Sequence, residues 1–202
     1  MVSVSSDPRC YGTLWVLNLD WPTPDGIAPL IPATFVRVGP EATPALAHAM
    51  GLDDPSEVWQ RFATGRRCYG ALVENHLAAY GWVTFDEENI GEMGLRIRLV
   101  PGEAYIWDCA TAPPYRRRGL YTALLAHIIG ELRAEGLCRG WIGADGDNVA
   151  SQKGIARAGF RPVADLLAAR AVATRPFWVR GRPGVPRQTV ADARLALIGE
   201  RS

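Results

Sequence analysis

Glu103-Ala104-Tyr105-Ile106-Trp107-Asp108-Cys109-Ala110-Thr111 runs through Ala112-Pro113-Pro114 into Tyr115-Arg116-Arg117-Arg118-Gly119-Leu120-Tyr121, and the fold is decided here. The first nine residues are largely apolar and read as a strand, which the two prolines end. After Gly119 the period becomes helical. Leu120, Leu124, Ile128 and Leu132 recur at four-residue steps with Leu125 and Ile129 beside them, a wide apolar stripe that reaches about Glu135 and stops at Gly136. The turn between strand and helix is chemically loaded. The first turn of a helix carries unpaired N–H groups and a positive dipole end, which together hold an anion. Gly119 lets the backbone approach a ligand closely, and Arg116, Arg117 and Arg118 add charge-assisted donors suited to phosphate oxygens. A pyrophosphate fits such a turn, although on these residues alone the arginines read equally well as a solvated run of charge. No G-x-x-x-x-G-K-[ST] loop occurs in the chain, and the turn lacks two glycines of the dinucleotide fingerprint.

Outward from this unit, Leu137–Ala144 reads as a buried strand. Asp147 or Asn148 opens a short helix that ends at Gly159. On the N-terminal side, Thr34–Val38, Cys68–Glu74, Leu77–Phe85 and Leu95–Val100 read as strands, with Asn75-His76 as a tight connection between the second and third. Short helices are expected over Pro44–Met50 and from Asp53 or Asp54 towards Phe62. Strands near Val163–Ala173 and Phe177–Arg180 follow, then a Pro/Gly linker over 181–186 and a helix over Thr189–Ile198. Pro8, Pro22, Pro24, Pro29 and Pro32 break residues 1–33, leaving Gly12–Asp20 as one possible strand. The division read from this pass is an N-terminal extension (1–33), the main domain (34–180) and a C-terminal linker with a short helix (181–202).

Composition narrows the function classes. The 202 residues hold 22 Lys+Arg against 21 Asp+Glu, a formal charge of +1, so no broad basic field exists for nucleic acid or anionic membrane, and neither partner is expected. Cys10, Cys68, Cys109 and Cys138 form no C-x-x-C pair. With His48, His76 and His127 scattered they make no metal-ligand spacing, so no metal is expected and the cysteines read as small apolar residues. No 18-residue apolar run and no basic start followed by an apolar stretch occur, which makes a cytoplasmic protein the expectation.

The paired segments together resemble the GNAT superfamily of acyl-CoA N-acyltransferases. Its first signature, Gln/Arg-x-x-Gly-x-Gly/Ala between the fourth strand and third helix, is met by Arg116, Gly119 and, in place of the last small residue, Tyr121. Its second, an Asn opening a helix with Gly-Phe at the eleventh and twelfth positions beyond, is met by Asn148 and Gly159-Phe160, with Ser151 where a small polar residue is common. The resemblance covers roughly residues 34–180. It implies a single α/β domain whose central sheet is mixed, mostly antiparallel, flanked by helices and splayed between its fourth and fifth strands. It further implies acetyl-CoA as co-substrate. Main-chain groups near Cys109, Ala110 and Thr111 would take the pantetheine and thioester carbonyl. Backbone N–H groups from Arg117 through Arg118, Gly119 and Leu120 to Tyr121 would hold the pyrophosphate, with Arg116 or Arg118 side chains assisting. Asn148 and Ser151 would border the pantetheine arm, and Lys153 or Arg157 is placed for the 3′-phosphate or, more simply, on a solvated face.

The implied reaction is acetyl transfer to a primary amine by direct attack in a ternary complex; the alternative is a non-catalytic acyl-CoA-binding or regulatory module on the same fold. An alkylammonium has a pKa near 10, so roughly one molecule in a thousand is neutral at pH 7 and a base is needed. Asp108 and Glu103 on the fourth strand are the candidates, with Glu92 behind them. Regular alternation puts Asp108 on the face opposite Glu103, Tyr105 and Trp107, whereas a bulge, usual in this strand of the family, changes that parity. Tyr105 and Trp107 are placed to line an acceptor pocket or to pack in the core. Many family members carry a Tyr seven residues after the Asn to protonate the departing thiolate; here that position is Ile155. The acceptor expected is a small-molecule amine or a protein amine, and a homodimer is the expected assembly if one forms.

Overall fold

The computed structural model describes residues 9–90, 95–168 and 177–199. The elements in chain order are β1 (Arg9–Asn18), β2 (Thr34–Val38), α1 (Thr43–Met50), α2 (Ser56–Ala63), β3 (Arg67–Val73), β4 (His76–Thr84), β5 (Glu87–Ile90), β6 (Leu95–Arg98), β7 (Glu103–Thr111), α3 (Leu120–Ala134), β8 (Arg139–Asp145), α4 (Val149–Arg157), β9 (Arg161–Ala168), β10 (Phe177–Gly181), α5 (Arg187–Ala196) and β11 (Leu197–Gly199). Eight strands form the main sheet in the order β10-β9-β1-β8-β7-β4-β3-β2, and β11-β6-β5 form a second, three-stranded sheet. Only the β7–β8 pair is parallel; every other described pair is antiparallel. The result is a single α/β domain with a mixed, mostly antiparallel sheet between helices.

Local chemistry explains most of these elements. The β3–β4 connection is a two-residue turn with Glu74 and Asn75 both left-handed (φ 50° and 64°), a geometry whose twist suits an antiparallel hairpin. Gly51 closes α1 at φ 70°, where a side chain is disfavoured. The apolar stripe of α3 is fully committed: Leu124, Leu125, Ile128, Ile129 and Leu132 are completely buried against one face of the sheet. There they meet Ala104 and Ile106 of β7, Ile142 of β8, and Ile155 and Phe160 at α4. The opposite face carries two further cores, one around Leu14, Tyr105, Trp141 and Leu166 with β6 and α5, the other around Leu46, Val58, Tyr80 and Trp82 with α1 and α2.

Several elements depart from the sequence expectation. The possible strand Gly12–Asp20, read as part of an N-terminal extension, is the ten-residue β1, and it lies inside the sheet of the main domain, antiparallel to both β8 and β9. The segment from β1 to β2 is strapped along α3. Arg133 near the end of α3 donates to the carbonyls of Leu19 and Trp21 and to Thr23 Oγ1. At the other end of α3, Leu30 N–H donates to the Arg118 carbonyl at 2.8 Å. β5 is a strand absent from the sequence reading. The C-terminal helix ends at Ala196, and Leu197–Gly199 pairs with β6. Residues 169–173 of the strand expected to Ala173 lie outside the described residues.

Candidate active site

The site follows from where two strands stop pairing. β7 and β8 run in parallel register from Glu103↔Arg139 to Ile106↔Ile142 and no further. Beyond that point β7 stays on β4 as far as Thr111, and β8 stays on β1 as far as Asp145. A cavity of about 500 Å³ occupies the fork. Its lining comes from both faces of the sheet: Tyr121, Asn148 and Ser151 from the α3–α4 side, Ile90, Trp107 and Leu166 from the other, with Tyr105, Cys109, Gly143 and Thr13 between. The fork is thus open from face to face, and β1 forms one wall of it.

Asp108 is turned by a bulge. Trp82 pairs with Trp107 and Tyr80 with Ala110, so Asp108 and Cys109 together oppose Gly81, and Asp108 takes φ 41°. Its carboxylate therefore faces α2, where Arg61 Nη1 lies 2.5 Å away, and the Arg61 guanidinium sits over the rings of Trp107 and Trp82 at 4.6 and 5.1 Å. The bulge choice left open by the sequence is settled towards the Trp107 face, and Asp108 lines the cavity. Glu103 lies elsewhere. It is 6% exposed at the paired end of β7, accepts hydrogen bonds from Trp141 Nε1 and Arg139 Nη1, and does not line the cavity. It is not a group in the fork, because Arg139, bridged onward to Asp192 of α5, holds it in the core. Glu92 lies outside the described residues.

The turn between β7 and α3 is tightly curled. Arg117 and Gly119 are left-handed at φ 61° and 75°, so the chain curls just before α3. Arg116, Arg117 and Arg118 are exposed, and Arg116 Nε braces the turn by donating to the Thr111 carbonyl at 3.1 Å. The Thr111 side-chain hydroxyl, at the head of the turn, is buried without a hydrogen-bond partner among the described residues. A curled, arginine-rich turn with an orphaned hydroxyl beside an open fork fits a diphosphate followed by a polar arm. Asn148 caps α4 by accepting from Ser151 N–H at 3.0 Å. Ala110 and Thr111 follow the bulge, and within it burial pushes the Cys109 thiol well above its ordinary range, so it is a poor nucleophile. Lys153 and Arg157 are exposed on α4, and Ile155 is fully buried.

Tyr121 plays a part that its motif position did not announce. Its ring lies against Gly154, where an added Cβ would come within 2.6 Å of it, and its hydroxyl is 3.0 Å from Ser151 Oγ. The departure from a small residue therefore puts a phenol inside the fork, and the glycine that seats it on α4 was the signal available in the sequence. Burial raises the pKa of this phenol, which stays protonated at neutral pH. Among the described residues, no cluster of three or more His, Cys, Asp or Glu side chains is placed to hold a metal ion.

The family model for the acetyltransferase (GNAT) family matches residues 40–160. The chain belongs to that family. No curated protein matches it. Among solved structures it is similar to a GNAT-family acetyltransferase from Colwellia psychrerythraea, at 18% identity and a TM-score of 0.57, covering 88% of this chain and 58% of that one. It is also similar to a GNAT-family acetyltransferase from Novosphingobium aromaticivorans, at 20% identity and 0.52, covering 78% of this chain and 62% of that one. The ribosomal-protein-S18-alanine N-acetyltransferase of Escherichia coli gives 21% identity and 0.52, with 64% and 78% covered. These likenesses are of fold. The chain spans less than two thirds of the length of the first two structures. Among the described residues no helix is long and apolar enough to cross a membrane.

Proposed function

We propose that this protein is an N-acetyltransferase that binds acetyl-CoA in the fork between β7 and β8 and passes the acetyl group directly to a primary amine. Acetyl-CoA supplies the activated acetyl thioester. The N–H groups from Arg117 to Tyr121 hold its diphosphate, assisted by the side chains of Arg116 and Arg118. Main chain at Cys109, Ala110 and Thr111, with Asn148 and Ser151 opposite, orients the arm. On the α2 side, Asp108, positioned by its ion pair with Arg61, receives the proton that the ammonium must lose. On the α3 side, Tyr121 Oη donates a proton in the role that Ile155 cannot fill. The observation that carries this reading is the end of the parallel register at Ile106 and Ile142, which leaves a cavity of about 500 Å³ reaching both faces. A cytoplasmic location, where acetyl-CoA is made and used, goes with it.

Isothermal titration with acetyl-CoA tests the first half: affinity in the micromolar to low-millimolar range is expected, and none overturns the reading. Thiol release on adding amines tests the second. Binding without turnover across an amine panel would favour the non-catalytic module.

A further inference from the structure

The β8 wall of the fork carries a charge that the proposed reaction leaves unused. Trp141, Gly143 and Asp145 alternate onto one face of β8, the face on which Trp141 packs with Tyr105. Tyr105 reaches across from β7 just where the pairing stops: a Cβ on Gly143, the residue after Ile142, would lie 3.1 Å from its Oη. Tyr105 is 5% exposed and lines the cavity. Its hydroxyl has no hydrogen-bond partner among the described residues and, unlike the indole N–H of Trp107, keeps some accessible surface. Burial first, then the nearby Cys109, Glu88 and Asp145, hold this phenol well above its ordinary range, so it stays neutral. Asp145 stands two residues past Gly143, about 7 Å further along β8.

The carboxylates around this part of the fork are not equivalent. Asp108 is answered by Arg61 and Glu88 by Arg66, each at 2.5 Å. The Asp145 carboxylate has no ion pair or hydrogen bond among the described residues; the bonds from Asn148 N–H and Gln152 Nε2 end on its main-chain carbonyl. A second cavity, of about 410 Å³, shares Tyr11 and Asp145 with the first, so Asp145 stands between the two. Among the described residues lining either cavity there is no Arg, Lys or His. Arg180 and Arg182, close to Cys10 of the second cavity, are engaged by Asp165. A cation at Asp145 would meet an unanswered carboxylate and a phenol oxygen with lone pairs to spare, and the rings of Tyr105, Trp107 and Tyr121 in the same cavity add to the attraction. An amine whose proton goes to Asp108, turned towards α2, leaves Asp145 to a second charge.

We infer that Asp145, with Tyr105 Oη beside it, holds a second cationic group of the acceptor, so that the preferred acceptor is a diamine rather than a monoamine. Its place in the reaction rests on the acetyltransferase reading, but the binding preference belongs to the cavity itself. The test uses 1,4-diaminobutane and 1,6-diaminohexane, with 1-aminobutane and 1-aminohexane as their one-cation counterparts. Each is titrated calorimetrically into the whole protein at neutral pH, then assayed for acetyl-CoA-dependent thiol release. The better diamine should bind about tenfold tighter than its counterpart, the worth of one charge-assisted hydrogen bond. Asp145→Asn should abolish that preference and raise KM for the diamine about tenfold, with kcat and acetyl-CoA affinity held within about twofold. Tyr105→Phe, which keeps the ring and removes the hydroxyl, should weaken the diamine several-fold and leave the monoamines unchanged. Diamines that bind no tighter than their counterparts overturn the inference, as does a preference that survives Asp145→Asn or a failure of all four amines to bind. Absence of acetyl-CoA binding with the diamine preference intact would instead remove the acetyltransferase reading and leave the inference standing.

Discussion

The carboxylate of Asp108 meets the guanidinium of Arg61 at 2.5 Å because a bulge turns a residue of β7 towards α2, and the same guanidinium lies over Trp107. Asp108, Trp107 and helix α2 are thereby joined in one cluster at the edge of the fork. Asp108→Asn keeps the shape and a hydrogen-bond acceptor for Arg61 but cannot take a proton. Its turnover should fall about 10²- to 10⁴-fold, the usual worth of a general base, with acetyl-CoA affinity unchanged. Steady-state kinetics alongside calorimetry would show it; undiminished turnover would remove Asp108 from the chemistry.

Tyr121→Phe deletes only the hydroxyl that meets Ser151. The fold and coenzyme affinity should persist, while the rate of thiol release drops tenfold or more. Gly154→Ala should mimic it from the other side, since the new methyl would lie 2.6 Å from the ring and push the phenol out of place. Equal rates in wild type and both variants would exclude a proton-transfer role.

Gly119 stands at φ 75°, and a Cβ there would also come within 3.4 Å of the Ala28 carbonyl oxygen. Gly119→Val should cost on the order of 1–3 kcal/mol of stability through backbone strain and should flatten the diphosphate turn. Chemical denaturation and acetyl-CoA titration measure the two effects; the affinity loss should exceed that of Arg117→Ala.

Alkaline pH offers a test of the core beneath α1. Burial raises the Cys68 thiol from 9.0 to about 12. The unfolded chain therefore loses this proton first, so the stabilising effect is complete below pH 9 and declines between about 9 and 12. Cys68→Ala should shallow the fall of the melting temperature over that window, whatever it costs in packing at neutral pH. Under native conditions exposed Cys138 should react with a thiol reagent well before buried Cys68.

The helix of the phosphate turn, the β3–β4 hairpin and the α4 cap were legible because each is written in a few adjacent residues. Leu124 and Ile128 repeat at the helical period, Asn75 accepts a left-handed turn, and Asn148 caps its own helix. What escaped was set at a distance. β1 reads as one possible strand within a proline-broken segment, and nothing local says that its partners are β8 and β9. Glu103 reads as a candidate base until Arg139 and Trp141, far along the chain, are seen to hold it. The four-residue β5, Glu-Glu-Asn-Ile, has too few apolar positions to announce a strand and depends on β6 for its existence. In the site, Asp108 was visible as a residue, but its direction depended on a bulge that alternation alone cannot detect. Tyr121 was visible only as a deviation.

The placement of β1 bears on how the molecule is made. Thr13 hydrogen-bonds Asp165 across 152 positions of sequence, so a segment that leaves the ribosome early has no sheet to join until β8 and β9 have been synthesised. Until then both edges of β1 lack their partners, and one wall of the fork is not in place. Closure of so long a loop is slow compared with hairpin formation, which leaves completion of the fork among the late events of folding.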